Sequence, residues 1–135
     1  MLGVSSYPRS YVDACRASVD EALTTYRDLA KGAKKAALAT FEPVFFGNMV
    51  LVLDASFVHR LRGKEGKDGN PLNEVRMLCT SLLQNNRKMT ADKTVKYKPE
   101  QSVLKYEIGD TIALSDTDFA RLADAFFAEI EKKYL

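Results

Sequence analysis

The C-terminal segment carries the feature that most constrains the fold, a long apolar stripe with helical spacing. Its members recur every three or four residues: Phe119, Leu122, Ala123, Phe126, Phe127, Ile130 and Tyr134. Side chains at this spacing share one face of an α-helix, which other elements must cover. Ser115 and Asp118 precede the stripe with capping-box spacing, so we predict a helix that starts after Ser115.

Two more stripes of this kind predict helices earlier in the chain. The first comprises Val12, Cys15, Val19, Ala22, Tyr26 and Leu29, and the second comprises Leu72, Val75, Leu78, Cys79, Leu82 and Leu83. Ser10 and Asp13 have capping-box spacing before the first stripe, and Gly32 follows it. Asn70 and Pro71 precede the second, where Asn is a good N-cap and Pro suits the first helical position.

The segment between these stripes is ambiguous. Residues 34–41 predict a short helix that Pro43 ends. Residues 49–53 are apolar without interruption, which fits either a buried strand or a helix. The longer pattern over 48–61 favours a helix, and since it is apolar nearly all round we expect it to be the most buried element.

The predicted fold class is mainly α, with one domain over residues 1–135. Residues 94–97, 103–108 and 111–114 are rich in β-branched and aromatic side chains and are separated by Pro99 and by Gly109-Asp110. This pattern predicts a small antiparallel β ribbon before the C-terminal helix. We therefore expect a bundle of four to five helices packed around the helix at 48–62.

Charge and composition narrow the expected setting. The 20 Lys and Arg residues nearly balance the 18 Asp and Glu residues, for a net charge of +2, which does not demand a nucleic-acid or membrane partner. The start of the chain lacks the pattern of a signal peptide, and the longest apolar stretch, 43–53, is short for a membrane span. Cys15 and Cys79 form no CxxC pair. We expect a cytoplasmic protein with no membrane partner, and the sequence leaves open whether the chain forms a homo-oligomer.

A charged glycine loop, residues 59–74, is the densest candidate site. The candidate ligand-binding residues are Arg60, Arg62, Lys64, Lys67 and Asn70. Glycines let a backbone approach a ligand closely, and the amides of the helix after Asn70 can hold an anion. The pattern predicts a site for a phosphate or carboxylate on a small molecule or a protein partner. The alternative is a solvated connection in which Arg62 pairs with Glu74 or Asp68.

His59 is the sole histidine, so a histidine-dependent mechanism must use it. On a helix Ser56 would lie one turn before it, as a nucleophile lies beside its base. Asp54 and Glu74 are the other catalytic candidates, although a buried Asp54 is more simply explained by an ion pair with Arg76. This alternative function is a small enzyme that uses His59 as acid or base on an anionic substrate.

Metal and nucleic-acid chemistry are the weaker alternatives. Cys15, Cys79 and His59 show neither the number nor the spacing of structural zinc ligands, so we expect no metal and no cofactor. Residues 87–106 hold six basic against two acidic side chains, with Tyr97 and Tyr106 available for stacking. No nucleic-acid-binding motif accompanies them. The preferred function is a non-enzymatic binding or interaction module that uses the glycine loop.

Overall fold

Helices dominate the computed structural model, which describes residues 3–135. The described chain forms α1 (Arg9–Ala30), α2 (Lys35–Ala55), α3 (Arg62–Glu65), α4 (Pro71–Gln84) and α5 (Asp116–Tyr134), with one 3₁₀ turn at Pro99–Gln101. Four of the five α-helices are of substantial length. The predicted mainly helical fold with four to five helices is confirmed.

The last helix, α5, lies at the centre of the bundle. It contacts each of the other four α-helices, and all seven members of its predicted stripe are buried. The predicted capping box is present: the Ser115 hydroxyl accepts from the Asp118 amide, and the Asp118 carboxylate accepts from the Ser115 amide, both at 3.1 Å. The expectation that the bundle packs around a helix at 48–62 is wrong, since α5 holds that position.

The first helix starts earlier than its sequence pattern suggested. Pro8 occupies the N-cap position, and its carbonyl oxygen accepts from the Val12 amide at 3.2 Å. Ser10 therefore lies inside the helix, where it is exposed and caps nothing. The predicted Ser10 cap is wrong because Pro8, whose ring fixes φ, already holds the N-cap position directly before α1.

The second helix runs without a break through Pro43, so the predicted short helix at 34–41 is only its first part. Residues 49–53 are helical, which decides between the strand and the helix. Proline removes one intrahelical hydrogen bond. Just after this point a tertiary contact holds the helix, because the Arg87 guanidinium lies over Gly47 and donates to the Pro43 carbonyl oxygen at 2.8 Å. The helix ends at Ala55, short of the expected residue 61.

The second helix is also less buried than its composition suggested. Phe46, Val50 and Leu53 lie in the core, but Val44 and Val52 are 55% and 54% exposed. The expectation of the most buried element is wrong. By length and composition alone α2 could cross a membrane, although core helices pass the same test; only 22% of its apolar stretch is buried.

The predicted β ribbon is absent from residues 3–135, where two isolated bridges, Val4–Arg60 and Lys88–Thr111, take the place of a sheet. The chain between α4 and α5 is irregular, yet it contributes four side chains to the core: Met89, Val95, Ile112 and Leu114. Its amides find partners other than a neighbouring strand. The amides of Val103 and Leu104, for example, donate to the Glu74 carboxylate at 2.8 and 2.9 Å.

Candidate functional site

The glycine loop begins where the chain leaves α2 and pairs with the N-terminal segment. The Val4 amide donates to the His59 carbonyl oxygen at 2.7 Å, and the Leu61 amide donates to the Val4 carbonyl oxygen at 2.8 Å. The Tyr134 hydroxyl, at the end of α5, donates to the Leu61 carbonyl oxygen at 2.7 Å. These contacts fix the backbone on both sides of Arg60, so its side chain has a defined direction.

A buried ion network centred on Glu65 lies beneath the loop. Glu65 is fully buried, and its carboxylate accepts from Arg60 Nε at 2.9 Å and from Arg76 NH2 at 2.6 Å. The Asn73 amide donates to its other oxygen at 2.8 Å. Arg60 also donates to Asp54 at 2.9 Å. Every charge in the network therefore has an opposite charge within hydrogen-bond distance, as burial requires.

The predicted partners in this network are rearranged. Asp54 pairs with Arg60 rather than with Arg76, which binds Glu65 instead. Burial alone would raise the pKa of the Glu65 carboxyl, but the Arg76 hydrogen bond and the charges of Arg60 and Arg76 hold it below its usual value. Burial would likewise lower the pKa of Arg76, and its pairing with Glu65 raises it instead. Both groups thus stay ionised in the folded protein.

The start of α4 has no amide left for a ligand. The Asn70 side chain accepts from the amides of Leu72 at 2.9 Å and Asn73 at 3.3 Å, and the Asn70 carbonyl oxygen accepts from Glu74 at 3.0 Å. Pro71 has no N–H. Asn70 is therefore the helix N-cap, as its place in the sequence indicated, and the expected anion contact with free amides of α4 has no donor.

Gly69 allows close contact with the protein itself. Its φ is +88°, and a Cβ there would lie 2.5 Å from the Lys96 carbonyl oxygen. The Lys96 amide in turn donates to the Lys67 carbonyl oxygen at 2.8 Å. This glycine thus serves the docking of the loop against residues 96–97.

The candidate basic residues of the loop have different surroundings. Arg60 is 2% exposed and donates to Asp54, Glu65 and the carbonyl oxygens of residues 57 and 72. Lys64 donates to the Ser5 carbonyl oxygen at 2.6 Å, and Lys67 is exposed. The Arg62 side chain is 49% exposed, and its Nε lies 3.8 Å from Glu65, too far for a hydrogen bond. Arg62 is the loop arginine best placed to meet a ligand.

A cavity of about 360 Å³ opens beside Arg62, and we call it the Arg62 cavity. Its lining consists of Gly3, Val58, His59, Arg60, Leu61, Arg62, Gly63 and Arg76. Four of these eight residues carry or can carry positive charge. Asp92 is another acid near these arginines. Hydrogen bonds with Thr94 lower the pKa of Asp92 most, and the charges of Arg62 and Arg76 lower it further. The cavity thus joins the sole histidine to two accessible arginines.

The three proposed partners of His59 are engaged elsewhere. The Ser56 hydroxyl donates to the Val52 carbonyl oxygen at 3.0 Å. Since α2 ends at Ala55, Ser56 and His59 are not neighbours on one helix, although the sequence had suggested that they would be. Asp54 is bound by Arg60, and Glu74 by the two amides of residues 103 and 104. His59 itself is exposed. No nucleophile or orienting acid is held against it in these contacts.

The residues considered for metal binding and for nucleic-acid binding form no corresponding arrangement among the described contacts. Among residues 3–135, no group of three or more His, Cys, Asp or Glu side chains could hold a metal ion. Cys79 is buried, and burial raises the pKa of its thiol to about 12. In the basic stretch 87–106, the Tyr97 hydroxyl donates to the Tyr106 carbonyl oxygen, and Tyr97 and Tyr106 both pack against the core.

Glu65 and Asn73 are the residues that sequence reasoning missed. Glu65 stands between glycines and lysines, a context typical of a solvated loop, and Asn73 lies off the apolar stripe of α4. The available signal was charge balance: the arginines around an apolar helix needed more than Asp54 as a buried counter-ion.

Comparisons of the chain with protein families, with curated proteins and with solved structures find no match.

Proposed function

We propose that this protein is a non-enzymatic binding module that takes a phosphate or carboxylate group in the Arg62 cavity. The observation that carries the proposal is the state of Arg62, a half-exposed guanidinium at the wall of a cavity, 3.8 Å from the nearest carboxylate of the buried network. A planar guanidinium can donate two parallel hydrogen bonds to such a group.

The buried network supports this role by holding the second arginine in place. Arg76 is 20% exposed and uses Nε and NH2 on Glu65. Its remaining nitrogen faces away from that carboxylate, so the guanidinium is oriented before a ligand arrives. Preorganised donors lose less entropy on binding. Arg60 also lines the cavity, but its charge is paired with Asp54 and Glu65, so it acts as a positioning residue.

The cavity dimensions fit a small anionic group. Small-molecule sites usually measure roughly 300–1,000 Å³, and the Arg62 cavity lies near the lower end. Lys64, Lys67 and Asn70 do not line it, so the proposed ligand contacts are Arg62, Arg76 and His59. An enzyme that uses His59 is the alternative at the same cavity. Binding is favoured because the candidate partners of His59 are committed to other contacts.

A thermal titration with inorganic phosphate at constant ionic strength tests the proposal. Phosphate is expected to raise the melting temperature, because a ligand that binds only the folded state stabilises it. Arg62→Ala is expected to weaken binding about tenfold or more, since a hydrogen bond to a charged group contributes about 1.5–3 kcal/mol.

Arg27→Ala is the matched control. Arg27 pairs with Asp116 at the opposite end of α5, and its loss removes the same charge from an exposed surface. This variant is expected to keep the phosphate response. A wild-type melting temperature that ignores phosphate, or a response that Arg62→Ala leaves intact, would overturn the proposal.

A further inference from the structure

The solvent side of α2 is apolar and free of charge. No charged residue occurs between Glu42 and Asp54, and two apolar side chains there, Val44 and Val52, are more than half exposed. The opposite side of α2 is packed into the core. An exposed apolar face of this kind is typical of an interaction surface.

Six residues on this side form a stripe that reads alike from either end, and we call it the α2 stripe; Val52, which is 54% exposed, flanks it beside Leu51. Its members are Ala37, Phe41, Val44, Asn48, Leu51 and Ala55, all exposed except the half-buried Leu51. The steps between them are four, three, four, three and four residues, which is the spacing of a helix–helix seam. From both ends the side-chain sizes run from small to large to medium.

We infer that the α2 stripe binds the α2 stripe of a second copy of this chain, with the two helices antiparallel. A two-fold interface places a surface against itself, so it must tolerate its own charge. The α2 stripe carries none. In this arrangement Ala37 faces Ala55 of the second copy, Phe41 faces Leu51, and Val44 faces Asn48, along a helix of 21 residues and about 30 Å.

The charges at the ends of α2 favour the antiparallel direction. Lys34 and Lys35 stand at the N-terminal end, where the helix dipole disfavours positive charge, and the last turn has no basic residue. An antiparallel second copy keeps the two pairs of lysines at opposite ends of the seam. A parallel pair would instead place four lysines together.

Asn48 determines the register of the pair. It is the sole polar side chain among the six members of the stripe, and the antiparallel register places both copies of it beside the two-fold axis. A single polar residue in an apolar seam specifies the register at some cost in stability. Here each Asn48 lies opposite Val44, one layer from the Asn48 of the second copy. The α2 stripe thus combines an apolar contact with a device for specificity.

A lipid surface fits the α2 stripe less well. Phe46, Val50 and Leu53 anchor the other side of α2 in the core, so this helix cannot enter a bilayer without opening the fold. Helices that lie on membranes usually carry Lys or Arg along the polar face and Trp or Phe at the boundary. After Lys35, α2 has no basic residue.

The molar mass in solution, measured by light scattering over a concentration series, tests the inference. The wild-type chain is expected to reach twice the 15.1 kDa of one copy. Val44→Glu is expected to stay at the mass of one copy, because it places two carboxylates in the apolar seam. Leu83→Glu on α4 is the matched control, since Leu83 is 68% exposed and lies outside the stripe. Circular dichroism confirms that each variant folds.

Cross-linking tests the direction of the helices. In a Cys15→Ala background, a mixture of the Ala37→Cys and Ala55→Cys variants is expected to link with a short bis-maleimide, while neither variant alone does. Cys79 is 7% exposed and does not compete.

Three results would overturn the inference. The first is a wild-type chain that keeps the mass of one copy up to its solubility limit. The second is linking of Ala37→Cys to itself, which indicates a parallel pair. The third is a single-copy chain that binds phosphatidylcholine vesicles and loses that binding with Val44→Glu, because the face would then serve lipid. The Arg62 cavity is not part of the stripe, so Arg62→Ala is expected to leave the mass unchanged.

Discussion

Glu65 and Glu74 are both buried, at 0% and 1% exposure, but their carboxylates meet different partners. Glu65 receives two guanidinium groups, and its pKa is held below the usual value. Glu74 receives only backbone amides, and burial raises its pKa although those amides offset part of the effect. The fold therefore favours ionisation of Glu65 and disfavours ionisation of Glu74.

The substitutions Glu65→Gln and Glu74→Gln are expected to differ in cost near neutral pH. Glu65→Gln leaves Arg60 and Arg76 without their shared counter-ion, and the loss of one member of a buried ion pair costs about 3–5 kcal/mol. Glu74→Gln keeps an acceptor for one of the two amides of residues 103 and 104 and leaves the other unpaired, so it is expected to cost about 1–3 kcal/mol. Urea unfolding of both variants beside the wild type measures the difference.

The pH dependence of these losses gives a second readout. Because the pKa of Glu65 is lower in the folded state, its contribution is complete above the ordinary value of 4.5 and disappears as the pH falls through the folded pKa. The gap between wild type and Glu65→Gln is thus expected to narrow in acid. For Glu74, whose pKa is raised, stability declines as the pH rises through its folded value. Equal losses at every pH would contradict the assignment.

At the scale of the helices, two Ser-x-x-Asp motifs have different outcomes. Ser115 and Asp118 form the capping box of α5, whereas Ser10 lies inside α1 behind Pro8. Ser115→Ala is expected to lower the free energy of unfolding by about 1 kcal/mol, the usual cost of losing an N-cap. Ser10→Ala is expected to leave it unchanged or to raise it by up to about 0.5 kcal/mol, because alanine is the better helix former.

Urea unfolding measures both serine variants, each serving as the control for the other. A similar loss at Ser10 and Ser115 would indicate that Ser10 caps α1 after all. The pair isolates the capping hydrogen bond, since both changes remove one hydroxyl near the start of a long helix, from the N-cap position at Ser115 and from inside the helix at Ser10.

The helices with a complete apolar stripe were predictable, because a stripe covered by the core must recur at helical spacing. This holds for α1, α4 and α5, although the last members of the first two predicted stripes, Leu29 and Leu83, are exposed. The course of α2 was not, since Pro43 has the same local effect whether or not Arg87 supports the helix from 44 residues away. The β ribbon failed for a related reason. Its residues are suited to strands, but their amides bind Glu74 and other distant groups.

At the scale of the whole molecule, the site depends on contacts that no local pattern contains. The sequence pattern placed His59 within a helix reaching residue 61, whereas α2 ends at Ala55 and both His59 and Arg62 lie between α2 and α4. The burial of Arg60 was not predictable either, because it follows from pairing with Glu65 and Asp54 and from packing at 5.5 Å on the Phe126 ring of α5. Charge in a sequence does not reveal which arginine is enclosed and which meets solvent.

Association through the α2 stripe also predicts how the whole molecule responds to heating. If folded copies pair and unfolded chains do not, mass action stabilises the folded state as the protein concentration rises. The wild-type melting temperature is therefore expected to rise as the protein concentration is raised a hundredfold, while that of Val44→Glu stays constant. Differential scanning calorimetry at the upper end and fluorescence at the lower end cover this range. A wild-type melting temperature as insensitive to concentration as that of Val44→Glu would contradict the pairing, since an apolar seam formed only in the folded state must contribute to its stability.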